Sequence, residues 1–172
     1  MRNHLADKVV AIKPSGIRKF FDIVSEMPDA ISLGVGEPDF VTPWHIRQAG
    51  IFSLERGHTY YTSNAGFMEL RQEICNYLKR RYDISYRARE EVLITVGGSE
   101  AIDIALLAMV DPGDEVLIPS PDYPLWTACV TLAGGKAVHY ICDEQAEWYP
   151  DMADIRKKIT ANTKAIVIIN PN

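Results

Sequence analysis

Gly97, Gly98, Ser99 and Glu100 stand where the chain could do chemistry on an anion. Two adjacent glycines allow a tight turn and let a ligand approach bare backbone. Ser99 and Glu100 then open a segment, Ala101 to Val110, that is apolar nearly all round and reads as a deeply buried helix. The free N–H groups of such a helix's first turn, with its dipole, favour a negative group, most naturally a phosphate. A plain strand-turn-helix with a packing glycine explains the same four residues equally well. Tyr123 follows Ser120-Pro121-Asp122, where the chain turns into another helix. Gly36, between Val35 and Glu37-Pro38, permits a ligand to meet a backbone N–H, although a turn glycine is the simpler account. Tyr60 and Tyr61 lie in the polar loop HTYYTSNAG, where paired tyrosines more often pack than act. His45 and His58 have no second ligand at metal spacing, so no metal site is expected.

These residues need elements to hold them. Val92 to Val96, rich in β-branched residues, reads as a strand covered on both faces and leads into the glycine turn. Asp111-Pro112-Gly113-Asp114 is a strong turn. Strands are expected at Glu115 to Pro119, Lys136 to Ile141 and Thr163 to Ile169. Helices are expected from Tyr123 to about Leu132, ended by Gly134-Gly135, and from Asp151 to Ile159 with Met152 and Ile155 inward. Alternating strands and helices imply a largely parallel sheet with right-handed crossovers. Ligands in such sheets sit beyond the C-terminal strand ends. The glycine turn, the Tyr123 turn and Asn170-Pro171-Asn172 all fall at such ends, so one cleft can collect them.

Upstream, Pro14-Ser15-Gly16 breaks an N-terminal arm, and Ile17 to Glu26 forms a turn or more of helix. Ile31 begins a short strand. Thr42 caps a helix with Pro43 at its first position, running to about Arg56 and stopped by Gly57. Gly66 to Tyr82 is an amphipathic helix with Leu70, Ile74, Tyr77 and Leu78 on one face.

The 172 residues, 47% hydrophobic and 24% charged, suit a globular α/β domain with a sizeable core. A net charge of −5 gives no reason to expect nucleic acid. No apolar run approaches the roughly 20 residues that span a membrane, and no signal peptide opens the chain. Cys75, Cys129 and Cys142 are odd in number and widely spaced, which suits a reducing cytoplasm without disulfides or a zinc pair.

Five stretches occur here in one order: LGVGEPDF, a Y-x4-G loop followed by ELR, TVGGSEA, DPGDEVLIPSPDYP, and a final strand ending INPN. Together they resemble the N-terminal part of the class I aminotransferases, pyridoxal-phosphate enzymes of fold type I. The likeness covers nearly the whole chain. The last third looks most like the alanine-aminotransferase branch, the first two thirds more like the aspartate and aromatic branch.

The resemblance implies an N-terminal arm with part of a small domain over residues 1–45. Residues 46–172 would be the first part of a cofactor-binding large domain, a mostly parallel sheet with helices on both faces. It implies pyridoxal 5'-phosphate held by Gly98, Ser99 and Glu100 at its phosphate and by Tyr123 stacked on its ring. Gly36 would meet the substrate carboxylate, and Ile17 would line the substrate pocket. Tyr61 would reach the phosphate of the neighbouring subunit's cofactor, which implies a homodimer. The substrates implied are an amino acid and a 2-oxo acid, in the cytoplasm.

The family's Schiff-base lysine follows a serine by three positions, and no serine here has that neighbour. Lys136, Lys157, Lys158 and Lys164 sit where solvated charges belong. The chain is therefore expected to be less than half of a full enzyme, inactive alone and exposing apolar surface. The readings that follow are an aminotransferase fragment, a lyase of the same fold acting on C–S bonds, or a non-catalytic association partner. A DNA-binding regulator is disfavoured because no helix-turn-helix precedes Ile31. A nicotinamide-binding domain is disfavoured because the turn lacks GxGxxG.

Overall fold

The computed structural model describes residues 4–12, 16, 20, 23–24, 26–27, 29, 31, 36 and 38–170. Their elements in order are α1 (Asp7–Val10), α2 (Trp44–Glu55), α3 (Met68–Tyr82), α4 (Gly97–Met109), β1 (Glu115–Ser120), α5 (Leu125–Ala133), β2 (Lys136–Asp143), a single 3-10 turn (Glu144–Ala146), β3 (Tyr149–Pro150), α6 (Met152–Lys158) and β4 (Thr163–Ile166). The chain divides into two compact units, Gly16–Thr95 and a second made of Met1–Ser15 with Val96–Asn172. The expected helix from Ile17 and the strand from Ile31 lie largely outside the described residues.

In the first unit, α2 starts after Pro43 and ends where Gly57 takes a left-handed φ of 75°, as its sequence requires. α3 begins at Met68, later than Gly66, because Gly66 (φ 88°) belongs to the preceding turn. A Cβ on Gly66 would lie 2.6 Å from Ile94 Cβ, so only glycine lets this turn pack on the Val92–Thr95 segment. Ile94 N–H donates to the Ala65 carbonyl at 3.1 Å across that contact. The buried stripe of α3 holds Arg71 and Cys75, with Ile74 and Leu78 half-buried. Leu70 and Tyr77, expected on it, are exposed. The stripe rotates because Arg71 reaches the Arg89 carbonyl (3.4 Å), which draws that face of α3 inward.

In the second unit, the four strands among the described residues form one sheet in the order β3-β2-β1-β4. β1 pairs parallel with both β2 and β4, and β2 pairs antiparallel with the two-residue β3. α4 and α5 cover one face, with Leu106, Val110, Val116, Ile118, Cys129, Val130 and Val167 in one cluster. α6 covers part of the other face, where Ile155 meets Leu117, Tyr140 and Cys142. Val116, Leu117 and Ile118 are wholly buried, which makes β1 the centre of the core. Each such side chain stabilises the fold by about 1.5–3 kcal/mol. The unit is thus α/β with a mostly parallel sheet and helices on both faces.

Three expectations change. Val92 to Val96 forms no strand among the described residues, and Val96 is 91% exposed. A strand exists only by its ladder, and no described strand pairs with this segment. α4 is correspondingly shallow, with Leu106 its one buried residue and Leu107 exposed. In α6 Ile155 is buried but Met152 is exposed, since Asp151 caps the helix and turns its first residue outward. On β4, Ala165 and Val167 face the cluster while Ile166 and Ile168 face outward, Ile168 at 74% exposure. Large apolar side chains do lie exposed, as the sequence implied.

Candidate functional site

The glycine turn is at the C-terminal end of the sheet, and packing fixes this. A Cβ on Gly135, which immediately precedes β2, would lie 2.4 Å from Val110 Cγ1, so the end of α4 sits beside the start of β2. α4 has 13 residues. It therefore runs back about 20 Å and opens at the opposite end of the strands. Gly97 takes a φ of 81°, a conformation glycine enters freely, and a Cβ on Gly97 or Gly98 would meet nothing within 4 Å. Ser99 is exposed in the first turn. The Glu100 carboxylate accepts from the Val96 N–H, closing the helix start with a negative group at its positive end.

Tyr123 stands at the same end, between β1 and α5, with its side chain 55% exposed. The peptide bond between Ser120 and Pro121 is cis. The Trp126 N–H donates to the Tyr123 carbonyl at 3.1 Å. Thr127 Oγ1 donates to Asp122 Oδ2 (3.2 Å) and lies 2.9 Å from His139 Nε2 on β2. His139 Nε2 is 3.7 Å from Asp122 Oδ2. Behind this bridge, burial pushes the Cys129 thiol up, and the nearby Asp103 carboxylate adds to that shift.

Sequence reasoning placed Asp122 only as a strand end and passed over Thr127 and His139. The available signal was a polar residue on an otherwise apolar helix and a histidine within the next strand. Pairing them needs the β1–α5–β2 crossover.

Gly98, Ser99, Glu100 and Tyr123 all lie in the second unit. Gly36 and Tyr61 belong to the first unit, where Gly36 has open space around it and Tyr61 is fully exposed. Ile17 lies outside the described residues. The lysines read as solvated are mostly paired. Lys136 Nζ donates to Glu115 Oε1 (2.8 Å), Lys164 lies 3.3 Å from Asp114 Oδ2, and Lys158 donates to Asp154 Oδ2 (2.7 Å). Among the described residues no three His, Cys, Asp or Glu side chains converge as a metal site, and Cys75, Cys129 and Cys142 are buried thiols outside any disulfide.

An open glycine turn at a helix N-terminus, an exposed hydroxyl and an exposed aromatic face make a donor set that suits a phosphorylated ring compound. Residues 28–172 match the family model described as aminotransferase class I and II.

The chain belongs to the class I and II aminotransferase family.

It is 51% identical over its full length to the Bacillus subtilis chain YugH, of which it spans 45%. It is 52% identical over 145 residues to the glutamate-pyruvate aminotransferase AlaA of Haemophilus influenzae, covering 83% of this chain and 35% of that one. The aspartate aminotransferase of Thermus thermophilus with maleate superposes with a TM-score of 0.89 at 35% identity, covering 100% of this chain and 46% of that one. The chain thus spans less than half the length of these family members, and its fold is that of a partial aminotransferase domain.

Proposed function

We propose that this chain is the N-terminal part of a pyridoxal-phosphate-dependent aminotransferase that moves an amino group between an L-amino acid and a 2-oxo acid. The observation that carries the reading is the match of residues 28–172 to the aminotransferase class I and II family, and the open α4 N-terminus and the exposed Tyr123 suit its cofactor. Bound pyridoxal phosphate would supply an electron sink for the electron pair left when the substrate's Cα proton is removed. The backbone N–H groups of Gly98 and Ser99 and the Ser99 hydroxyl hold the phosphate, with Glu100 closing the turn. Tyr123 stacks on the ring and fixes its plane. Gly36 presents its N–H to the substrate carboxylate, and Ile17 lines the pocket. Tyr61, being fully exposed, is free to reach a neighbouring subunit's phosphate in a homodimer. Residues 1–45 form the arm and part of a small domain, and residues 46–172 begin the large domain. The lysine that moves the proton comes from a part of the enzyme that this chain does not span.

The test uses the full-length protein carrying this chain, loaded with pyridoxal phosphate, in the cytoplasmic fraction where it is expected. Alanine with 2-oxoglutarate is the first pair to assay, given the 52% identity to AlaA, and aspartate the second. Formation of glutamate with the matching 2-oxo acid supports the reading. Release of a thiol from a cysteine conjugate without amino transfer would move the protein to the C–S lyases. Neither activity would leave it an association partner.

A further inference from the structure

We propose that Asp122, Thr127 and His139 are positioning residues that set the plane of the Tyr123 ring. The inference rests on the reading of Tyr123 as the stacking residue. The Tyr123 side chain is more than half exposed, so packing does little to hold it. Its orientation must then come from the backbone on either side. On one side the Trp126 N–H ties the Tyr123 carbonyl into the first turn of α5. On the other, Asp122 is held by its side chain. Thr127 Oγ1 donates to Asp122 Oδ2 (3.2 Å) and, with its lone pair, accepts from His139 Nε2 (2.9 Å) when that nitrogen carries a proton. The three side chains join three separate pieces: the loop after β1, the helix α5 and the strand β2. His139 is anchored in the β1–β2 ladder opposite Ile118, so the bridge refers the loop to the rigid centre of the sheet. Thr127 is itself braced, because the Thr131 hydroxyl donates to its carbonyl at 2.9 Å. A hydroxyl is what the position needs, because it donates to the carboxylate and accepts from the ring at once.

The experiment compares Thr127→Val, Thr127→Ser and Tyr123→Ala in the full-length protein. It reads the visible circular dichroism of the bound cofactor, the cofactor dissociation constant by titration, and the melting temperature of the cofactor-free form. Tyr123→Ala should reduce the dichroism and weaken binding. Thr127→Val, nearly isosteric, should do the same with binding weaker by about 3- to 10-fold, the worth of a hydrogen bond, and with cofactor-free melting within about 2 °C. Thr127→Ser should restore both. If Thr127→Val melts markedly lower, His139→Leu decides: the His139 side chain is 40% exposed, and leucine has no donor for Thr127 Oγ1, so it breaks the bridge with little cost to packing. A changed dichroism in His139→Leu supports the proposal, and a wild-type signal overturns it. Wild-type dichroism and affinity in Thr127→Val, with Tyr123→Ala altered, also overturn it. Wild-type behaviour of Tyr123→Ala would instead remove the underlying reading of Tyr123.

Discussion

The two ends of the same sheet are built on opposite terms. At the N-terminal ends of β1, β2 and β4, charges are paired and Gly135 is tightly packed, although Gly113 in the turn before β1 has open space. Glu115 is buried, accepting from Lys136 Nζ (2.8 Å) and Thr160 Oγ1 (2.7 Å), and Lys164 faces Asp114. α5 closes there with Gly134 at a φ of 93° and the Gly135 N–H on the Val130 carbonyl (3.0 Å). At the C-terminal ends, Gly97 and Gly98 have open space where side chains would be, and Ser99 and Tyr123 are exposed. The lesson is a division of labour. One end is closed by the chain's own ion pairs and caps, and the other leaves its glycine turn and an aromatic side chain exposed.

This contrast can be broken at single residues. The largest effect is expected at Gly135→Ala, where the new Cβ meets Val110 Cγ1 at 2.4 Å and the Asp114 carbonyl at 3.2 Å. Urea unfolding should show a loss of about 1–3 kcal/mol. Tyr140→Phe comes next. The Tyr140 hydroxyl donates to the Val167 carbonyl at 2.7 Å in the core, and burial raises the phenol's pKa. Its loss should cost about 1–2 kcal/mol, read by the same measurement.

The ion pairs give a pH signature. Hydrogen bonds from Lys136 and Thr160 hold the Glu115 carboxyl below its ordinary value, against the opposing effect of burial. The Asp111 N–H and Lys164 do the same for Asp114. A carboxylate with a depressed folded pKa contributes stability at neutral pH, and this is lost as pH falls through that lowered value. Lys136→Met should therefore lower the urea midpoint near neutrality and flatten the acid limb, its difference from wild type shrinking as pH falls. A limb identical to wild type would mean that the pair adds nothing. The smallest stability effect belongs to Gly98→Ala. With nothing within 4 Å of the new Cβ, unfolding should shift by under about 1 kcal/mol. Pyridoxal-phosphate affinity of the full-length protein should still fall, since the methyl stands where the phosphate approaches. A large stability loss there, or none at Gly135, would invert the comparison.

Local chemistry made much of this legible. Gly57 and Gly134 stop α2 and α5 because only a left-handed residue lets the last carbonyls find partners. Asp151 was read as the start of α6, and it accepts from the N–H groups of Ala153 (2.8 Å) and Asp154 (3.1 Å). The glycine turn and Tyr123 were visible as candidates because strand ends in α/β sheets fall at turns. The lysines are as solvent-exposed as the sequence suggested, with Lys136 and Lys164 side chains 70% and 47% exposed, but the partner of Lys136 was not legible, because Lys136 and Glu115 meet only once β1 and β2 pair. The antiparallel β3 was not foreseen, since two residues, Tyr149 and Pro150, carry no periodic signal.

The sequence by itself determined where helices begin and end, which segments alternate into a parallel sheet, and which family the motifs resemble. These follow from backbone preferences and apolar periodicity, and both act over a few residues. Tertiary structure decided the rest. It left Val92 to Val96 without a ladder, turned α3 onto Arg71 and Cys75, and joined Asp122, Thr127 and His139. Each of those outcomes depends on a partner in another element. Whether a polar group is solvated, paired or bridging is a property of what the fold brings beside it.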